Sequence, residues 1–146
     1  MLKGIPTILS PELLKILMEM GHGDEIVLAD GNFPAASMAQ RLIRMDGHDV
    51  PSILDGILRF FPLDTFVEKP VTLMGVVPGD NYVPVIKETY RELITKHEGE
   101  KGIEEVDRFA FYDRAKQAYA IVATGESARY ANIILKKGVI EPNASA

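Results

Sequence analysis

The chain has 146 residues, a length for one domain with a core of its own. A hydrophobic share of 47%, a charged share of 25%, 12 Gly and 9 Pro exclude a disordered, collagenous or long coiled-coil chain. A total of 16 Lys and Arg against 21 Asp and Glu gives a net charge of −5, which argues against nucleic acid and anionic membranes as partners; the lack of Cys removes disulfides and thiolate chemistry.

Residues 1–10 carry one Lys and an apolar run broken by Pro6, with no small-residue cleavage site after it, so no secretory signal is expected. The longest apolar stretches, 71–77 and 119–123, fall far short of the ~20 residues of a membrane span. A soluble, cytoplasmic chain is the expectation.

Ser10 is placed to cap a helix, Pro11 suits its first turn, and Leu13, Leu14, Leu17 and Met20 recur at helical spacing until Gly21 stops it. After the corner His22-Gly23-Asp24, residues 25–30 form a short apolar run, the pattern of a strand buried on both faces. Gly31-Asn32-Phe33-Pro34 breaks it; residues 34–40 suit a short helix and 42–45 a second strand before the Asp46-Gly47 turn. Pro51-Ser52 open a helix whose Ile53, Leu54, Ile57, Leu58 and Phe61 form one stripe, ended by Pro62. Residues 71–77 read as a central strand, and Pro84 begins a helix with Ile86, Tyr90, Leu93 and Ile94 on one side. Residues 97–102 read as a polar surface loop, 109–118 as a helix, and 119–124 and 132–136 as strands separated by Gly125-Glu126-Ser127. Helices alternating with buried strands predict a three-layer α/β domain, with residues 1–139 as its core and 140–146 as a tail.

Much chemistry is missing. His22, His48 and His97 lack the spacing that presents two metal ligands on one face. Gly21 and Gly23 begin a Gly-x-Gly, but Ile26 stands where a third glycine is needed, and the segment leads into a strand where a dinucleotide site needs a helix. No phosphate-binding loop or nucleophile elbow occurs. Acid, base and hydrogen bonds remain, without metal or cofactor.

His22 follows a helix end, whose negative partial charge favours a protonated imidazole, and its glycine-flanked corner leaves the ring room to act as a proton donor. Asp30 ends the neighbouring strand, where open α/β sheets collect ligands, and suits either a polar ligand or the orientation of His22. Asp24 reads as a turn former beside Gly23. If the C-terminal strand is extended from Arg129, Tyr130 and Asn132 share a face and offer two hydrogen-bonding groups. Arg108 suits a hydroxylated ligand. Each residue also has an ordinary structural reading: a solvated loop His, a turn Asp, a core Tyr, a surface Arg.

Together, Leu9-Ser10-Pro11-Glu12-Leu13-Leu14, Met20-Gly21-His22-Gly23-Asp24-Glu25-Ile26, Asp30 with Asn32-Phe33-Pro34, Arg108-Phe109-Ala110-Phe111-Tyr112, and Thr124-Gly125-Glu126 with Tyr130-Ala131-Asn132-Ile133-Ile134-Leu135 closely resemble the L-fucose mutarotase family and, more distantly, the D-ribose pyranases. The resemblance runs from Met1 to about Val139, with departures at Gly31 and Ala36 beside the strand-end loop. It implies a single α/β/α domain around a mixed, largely buried sheet, and an isomerase that interconverts the α and β anomers of L-fucose. It implies His22 as the acid, with Asp30, Arg108, Tyr130 and Asn132 as sugar-binding residues. It also implies a homo-oligomer, a ring-shaped decamer foremost, with the site near a subunit boundary.

Mutarotation needs one proton to leave the anomeric hydroxyl and another to reach the ring oxygen, which fits the absences above. The base is left open among Asp30, Tyr130 and water. Ribose pyranase activity, alone or alongside, is the nearest alternative reading. A non-catalytic monosaccharide-binding module and a glycosidase pairing Asp30 with Glu126 are readings of other classes.

Overall fold

Ser10 caps the first helix, α1 (Pro11–Glu19), accepting from the Leu13 N–H at 3.2 Å, and Pro11 fills the first turn as expected. In the computed structural model, which describes residues 1–143, the chain continues through β1 (Glu25–Ala29), α2 (Ala35–Met38), β2 (Leu42–Met45), α3 (Val50–Leu58), β3 (Val71–Met74), α4 (Ile86–Glu98), β4 (Ile103–Val106), α5 (Arg108–Gln117), β5 (Ala120–Thr124) and β6 (Ile133–Lys136). Positions 144–146 of the expected tail lie outside the described residues.

The strands form one sheet in the order β2-β5-β1-β6-β3-β4. Every neighbouring pair is parallel except the two that β6 makes, with β1 and with β3. One reversed strand therefore sits inside an otherwise parallel sheet. β1, β3 and β5 are buried on both faces almost throughout, which is why they read as unbroken apolar runs rather than alternating ones.

Helices cover both faces. Leu13, Leu17, Ile53, Ile57, Tyr90 and Ile94 seat α1, α3 and α4 on one side. Ala35, Phe111 and Ala115 seat α2 and α5 on the other. The result is the expected α/β/α sandwich around a mixed sheet, in which each fully buried Leu, Ile or Phe contributes about 1.5–3 kcal/mol of burial. No helix among the described residues is long and apolar enough to cross a membrane.

Several expectations need correction. β3 ends at Met74, not residue 77: the Gly75 N–H makes the last bond to β4, at the Val106 carbonyl 2.8 Å away, and the chain then leaves the sheet. α4 begins at Ile86 rather than Pro84, since Val83 to Val85 close a tight turn of their own. α4 also runs through His97 and Glu98, which were expected in a loop; His97 Nε2 lies 2.6 Å from Asp55 Oδ1 and ties α4 to α3. Finally, β4 was not expected at all: Ile103-Glu104-Glu105-Val106 is a half-exposed edge strand whose charges hide its pairing with β3.

Just beyond β5, Gly125 donates its N–H to the His48 carbonyl at 2.9 Å, and a Cβ at this position would stand 2.0 Å from the Asp46 carbonyl oxygen. Both neighbours are backbone, so neither can swing aside. Gly125→Ala is expected to cost about 3 kcal/mol, read as a lowered urea midpoint; an unchanged midpoint would show that the loop yields freely.

Candidate functional site

Because β6 runs against its neighbours, its N-terminal end meets the C-terminal ends of β1 and β3 at one edge of the sheet. A cleft of ≈ 290 Å³ opens there, where ligands gather in open α/β sheets. Asp30, Arg108, Tyr130 and Asn132, four of the five expected site residues, all line it, joined by Asn32, Phe33, Met74, Val77, Tyr112 and Arg129.

Asp30 directly follows β1. Its N–H donates to Asn132 Oδ1 at 2.8 Å and its own Oδ1 accepts from the Asn32 N–H at 3.0 Å, so the two cleft residues fix each other across the β1–β6 seam. Burial pushes the Asp30 carboxyl above the usual carboxylate range, and the nearby Glu126 charge adds to this against the Asn32 hydrogen bond.

That shift has a sign for stability. A raised carboxyl pKa means that folding disfavours the ionised form, so the destabilisation is present above the raised pKa and is lost as the pH falls toward the ordinary Asp value. Asp30→Asn, which keeps an acceptor for Asn32, is therefore expected to raise the melting midpoint at pH 7, with the gain shrinking as the pH drops. A lower midpoint at pH 7 would contradict it.

Tyr130 reaches the cleft by a different route from the one expected. β6 starts only at Ile133, and Tyr130 is the single described non-glycine residue with positive φ, at 55°. A left-handed turn, not strand alternation, aims its side chain. Its hydroxyl donates to Asp80 Oδ2 at 2.7 Å. Arg108 opens α5 beside the capping Asp107, its Nε donating to the Tyr112 hydroxyl at 2.9 Å, which holds the guanidinium at the cleft wall.

The fifth residue lies elsewhere. His22 stands before the N-terminal end of β1, and the five residues of β1 span about 17 Å, so one chain does not bring His22 to the cleft. The expected cause of a charged imidazole is also displaced, because the α1 carbonyls of Leu17 and Met20 are taken by Lys137 Nζ at 2.7 and 2.6 Å. What faces the ring is Asp64: His22 Nε2 lies 3.0 Å from its Oδ1, with the Phe66 ring packed at 5.0 Å. Burial opposes ionisation of Asp64, but hydrogen bonds from the Phe66 N–H and from His22 hold its carboxyl below the usual range. Asp24 is a turn residue as expected, accepting from the Gly21 N–H at 2.7 Å.

Glu126 is not the second carboxylate of a glycosidase pair. Its oxygens accept from the Val50 N–H at 3.2 Å and the Ala128 N–H at 3.0 Å, it is buried, and it does not line the cleft.

Residues 3–140 match the model of the RbsD / FucU transport protein family. The chain belongs to that family. It is 55% identical over 140 residues to an L-fucose mutarotase of Actinobacillus pleuropneumoniae, covering 95% of this chain and 97% of the relative. A crystal structure of the fucose mutarotase of Streptococcus pneumoniae in complex with L-fucose superposes with a TM-score of 0.93 at 57% identity, covering 96% of this chain and all of that one. The RbsD of Bacillus subtilis complexed with D-ribose superposes at 0.72 with 26% identity, covering 97% of this chain and all of that one.

Two carboxylates escaped the sequence reading. Asp64 follows Leu63 in an irregular segment, 42 residues from its partner His22, with no periodic pattern to mark it. Asp80, in Pro78-Gly79-Asp80-Asn81, has the composition of any turn.

Proposed function

We propose that the protein is a sugar mutarotase that interconverts the α and β anomers of L-fucose. The observation that carries this reading is the cleft: Asp30, Arg108, Tyr130 and Asn132 converge on one small polar space in a chain 57% identical to a fucose mutarotase seen in complex with L-fucose. Several hydrogen-bonding groups around a cavity of this size suit a monosaccharide.

In the proposed reaction the bond between the anomeric carbon and the ring oxygen breaks, its electron pair stays on the ring oxygen, and that oxygen takes a proton from His22. The anomeric hydroxyl gives up its proton to a base in the cleft. Asp30 is best suited, since its raised pKa makes it the stronger proton acceptor. Rotation of the open-chain carbonyl and reversal of both transfers closes the ring on the opposite face. Arg108, Tyr130 and Asn132 hold the other hydroxyls.

His22 must come from a neighbouring copy, because within one chain it sits at the far end of β1. Exposed apolar side chains at both ends support such an assembly: Met18, Phe60 and Ile140 border the His22 side, and Val77 and Phe109 flank the cleft. A cytoplasmic homo-oligomer, with a ring of ten copies as the assembly the family resemblance implies, completes the proposal.

D-ribose is a second substrate to test, because the family neighbour complexed with D-ribose shares the fold and because pyranose–furanose exchange passes through the same open chain. NMR saturation transfer on equilibrated L-fucose, with D-ribose alongside, is expected to show exchange faster than in protein-free controls. Binding without accelerated exchange on either sugar would point to a monosaccharide-binding module instead.

A further inference from the structure

From the loop that follows β3, we infer that Asp80 is a positioning residue which commits the Tyr130 hydroxyl to be a hydrogen-bond acceptor toward the sugar. This rests on the mutarotase reading above and concerns a residue that does not itself line the cleft.

The geometry is specific. A phenol has one proton to donate. Tyr130 spends it on Asp80 Oδ2 at 2.7 Å, and the same oxygen takes Arg129 Nη2 at 2.5 Å, so the carboxylate is held from two sides. The Tyr130 hydroxyl bond is the largest of the effects that keep the Asp80 carboxyl below the usual range, so it stays an acceptor across neutral pH. Asp80 Oδ1 is already occupied by the Tyr82 N–H at 2.9 Å, which fixes the rotation of the carboxylate. On the Tyr130 oxygen, the Val77 N–H approaches one lone pair at 3.4 Å, which leaves the other for a ligand. Tyr82 packs against Tyr130 with ring centroids 6.0 Å apart, and Arg129 stands 4.9 Å over the Tyr82 ring. A non-glycine residue at φ 55° is disfavoured on its own, so this set of contacts also maintains the turn that aims Tyr130.

A simpler role is available: Asp80 could act only as a staple for its loop. The two roles separate in Asp80→Asn. The Asn Oδ1 retains the Tyr82 turn bond, while its Nδ2 takes the place of Oδ2 and donates to the Tyr130 oxygen. The turn bond is kept, the Arg129 contact at that position is lost, and the polarity of Tyr130 is reversed, so its proton faces the sugar. Asp80→Ser keeps a turn-forming side chain and removes the Oδ2 that accepts from Tyr130, and it repeats the test should the Asn variant melt early.

The experiment is a cycle of wild type, Asp80→Asn, Tyr130→Phe and the double variant, read by saturation-transfer exchange across L-fucose concentrations, with melting curves for each. Asp80→Asn is expected to lower kcat/KM about tenfold in the wild-type background and less than about twofold when Tyr130 is already Phe. A matched series of monofluorinated L-fucose analogues, in which one hydroxyl at a time becomes acceptor-only, adds a readout that loop stapling would not move. At one ring position the binding penalty of fluorine is expected to shrink at least about fivefold in Asp80→Asn relative to wild type. Equal losses in both backgrounds, no loss in either, or fluorine penalties identical in both proteins would overturn the inference while leaving the mutarotase reading intact. Failure of the wild type to exchange any of the sugars would overturn both, and that outcome is read in the first arm.

Discussion

Replacing His22 with Ala is expected to slow L-fucose anomer exchange by about 100-fold or more while the protein stays folded. The magnitude is that of a positioned general acid, and the uncatalysed reaction in water sets the floor. Folding is spared because the His22 side chain is 43% exposed and does not belong to the buried core. Asp64→Asn should cost less than His22→Ala, since it keeps an oxygen beside the imidazole and leaves the proton donor itself in place. The ordering follows from the geometry: His22 touches the reacting oxygen in the proposed reaction, whereas Asp64, 3% exposed, acts only through the ring. Saturation transfer on matched amounts of the three proteins reads both effects. Exchange within a few-fold of wild type in His22→Ala would remove the histidine from the mechanism, and a reversed order would mean that Asp64 supports the fold rather than the proton.

The second large effect concerns two dead proteins that revive each other. His22→Ala lacks the acid, and Asn132→Ala lacks a wall of the cleft and the acceptor for the Asp30 N–H. If one copy supplies the acid and its neighbour the cleft, each boundary in a randomly mixed assembly has a one-in-two chance of an intact acid and a one-in-two chance of an intact cleft. Unfolding and refolding the two variants together at equal amounts should therefore restore about a quarter of wild-type exchange, from a starting level near zero. Light scattering on the same samples is expected to report a mass well above the 16.1 kDa of one chain. A monomer, or a mixture no more active than its parts, would place the whole reaction within one chain and leave the separation across β1 without a role.

How far the sequence could be read depended on whether a feature was local. Ser10 and Pro11 mark the start of α1 because caps act within three residues, and β1 and β5 announced themselves because a strand buried on both faces must be apolar throughout. β4 stayed hidden for the converse reason: at the edge its glutamates pair with Arg114 and Lys87 instead of apolar neighbours, and nothing in Ile-Glu-Glu-Val separates it from a loop. The cleft residues were nameable as a set only through the family resemblance. Tyr130 and Asn132 were expected on one face of an extended strand; the chain brings both to the cleft by a left-handed residue that no alternation rule contains. The partners of His22 and Tyr130 were illegible, since Asp64 and Asp80 are 42 and 50 residues away in irregular segments and only the folded chain brings them near.

The reversed strand has a consequence for the life of the chain in the cell. β6 carries Asn132 before its first residue and Lys137 after its last, so one short segment completes both the cleft and the His22 corner. Of the six strands of this sheet it is also the last to leave the ribosome, and until it arrives β1 and β3 have no strand between them. A nascent chain therefore has an open edge and no sugar site, and it acquires both its closure and its chemistry in one late step. Truncated products, lacking that step, would be inert toward sugar and prone to pair with one another, which makes them ready targets for degradation.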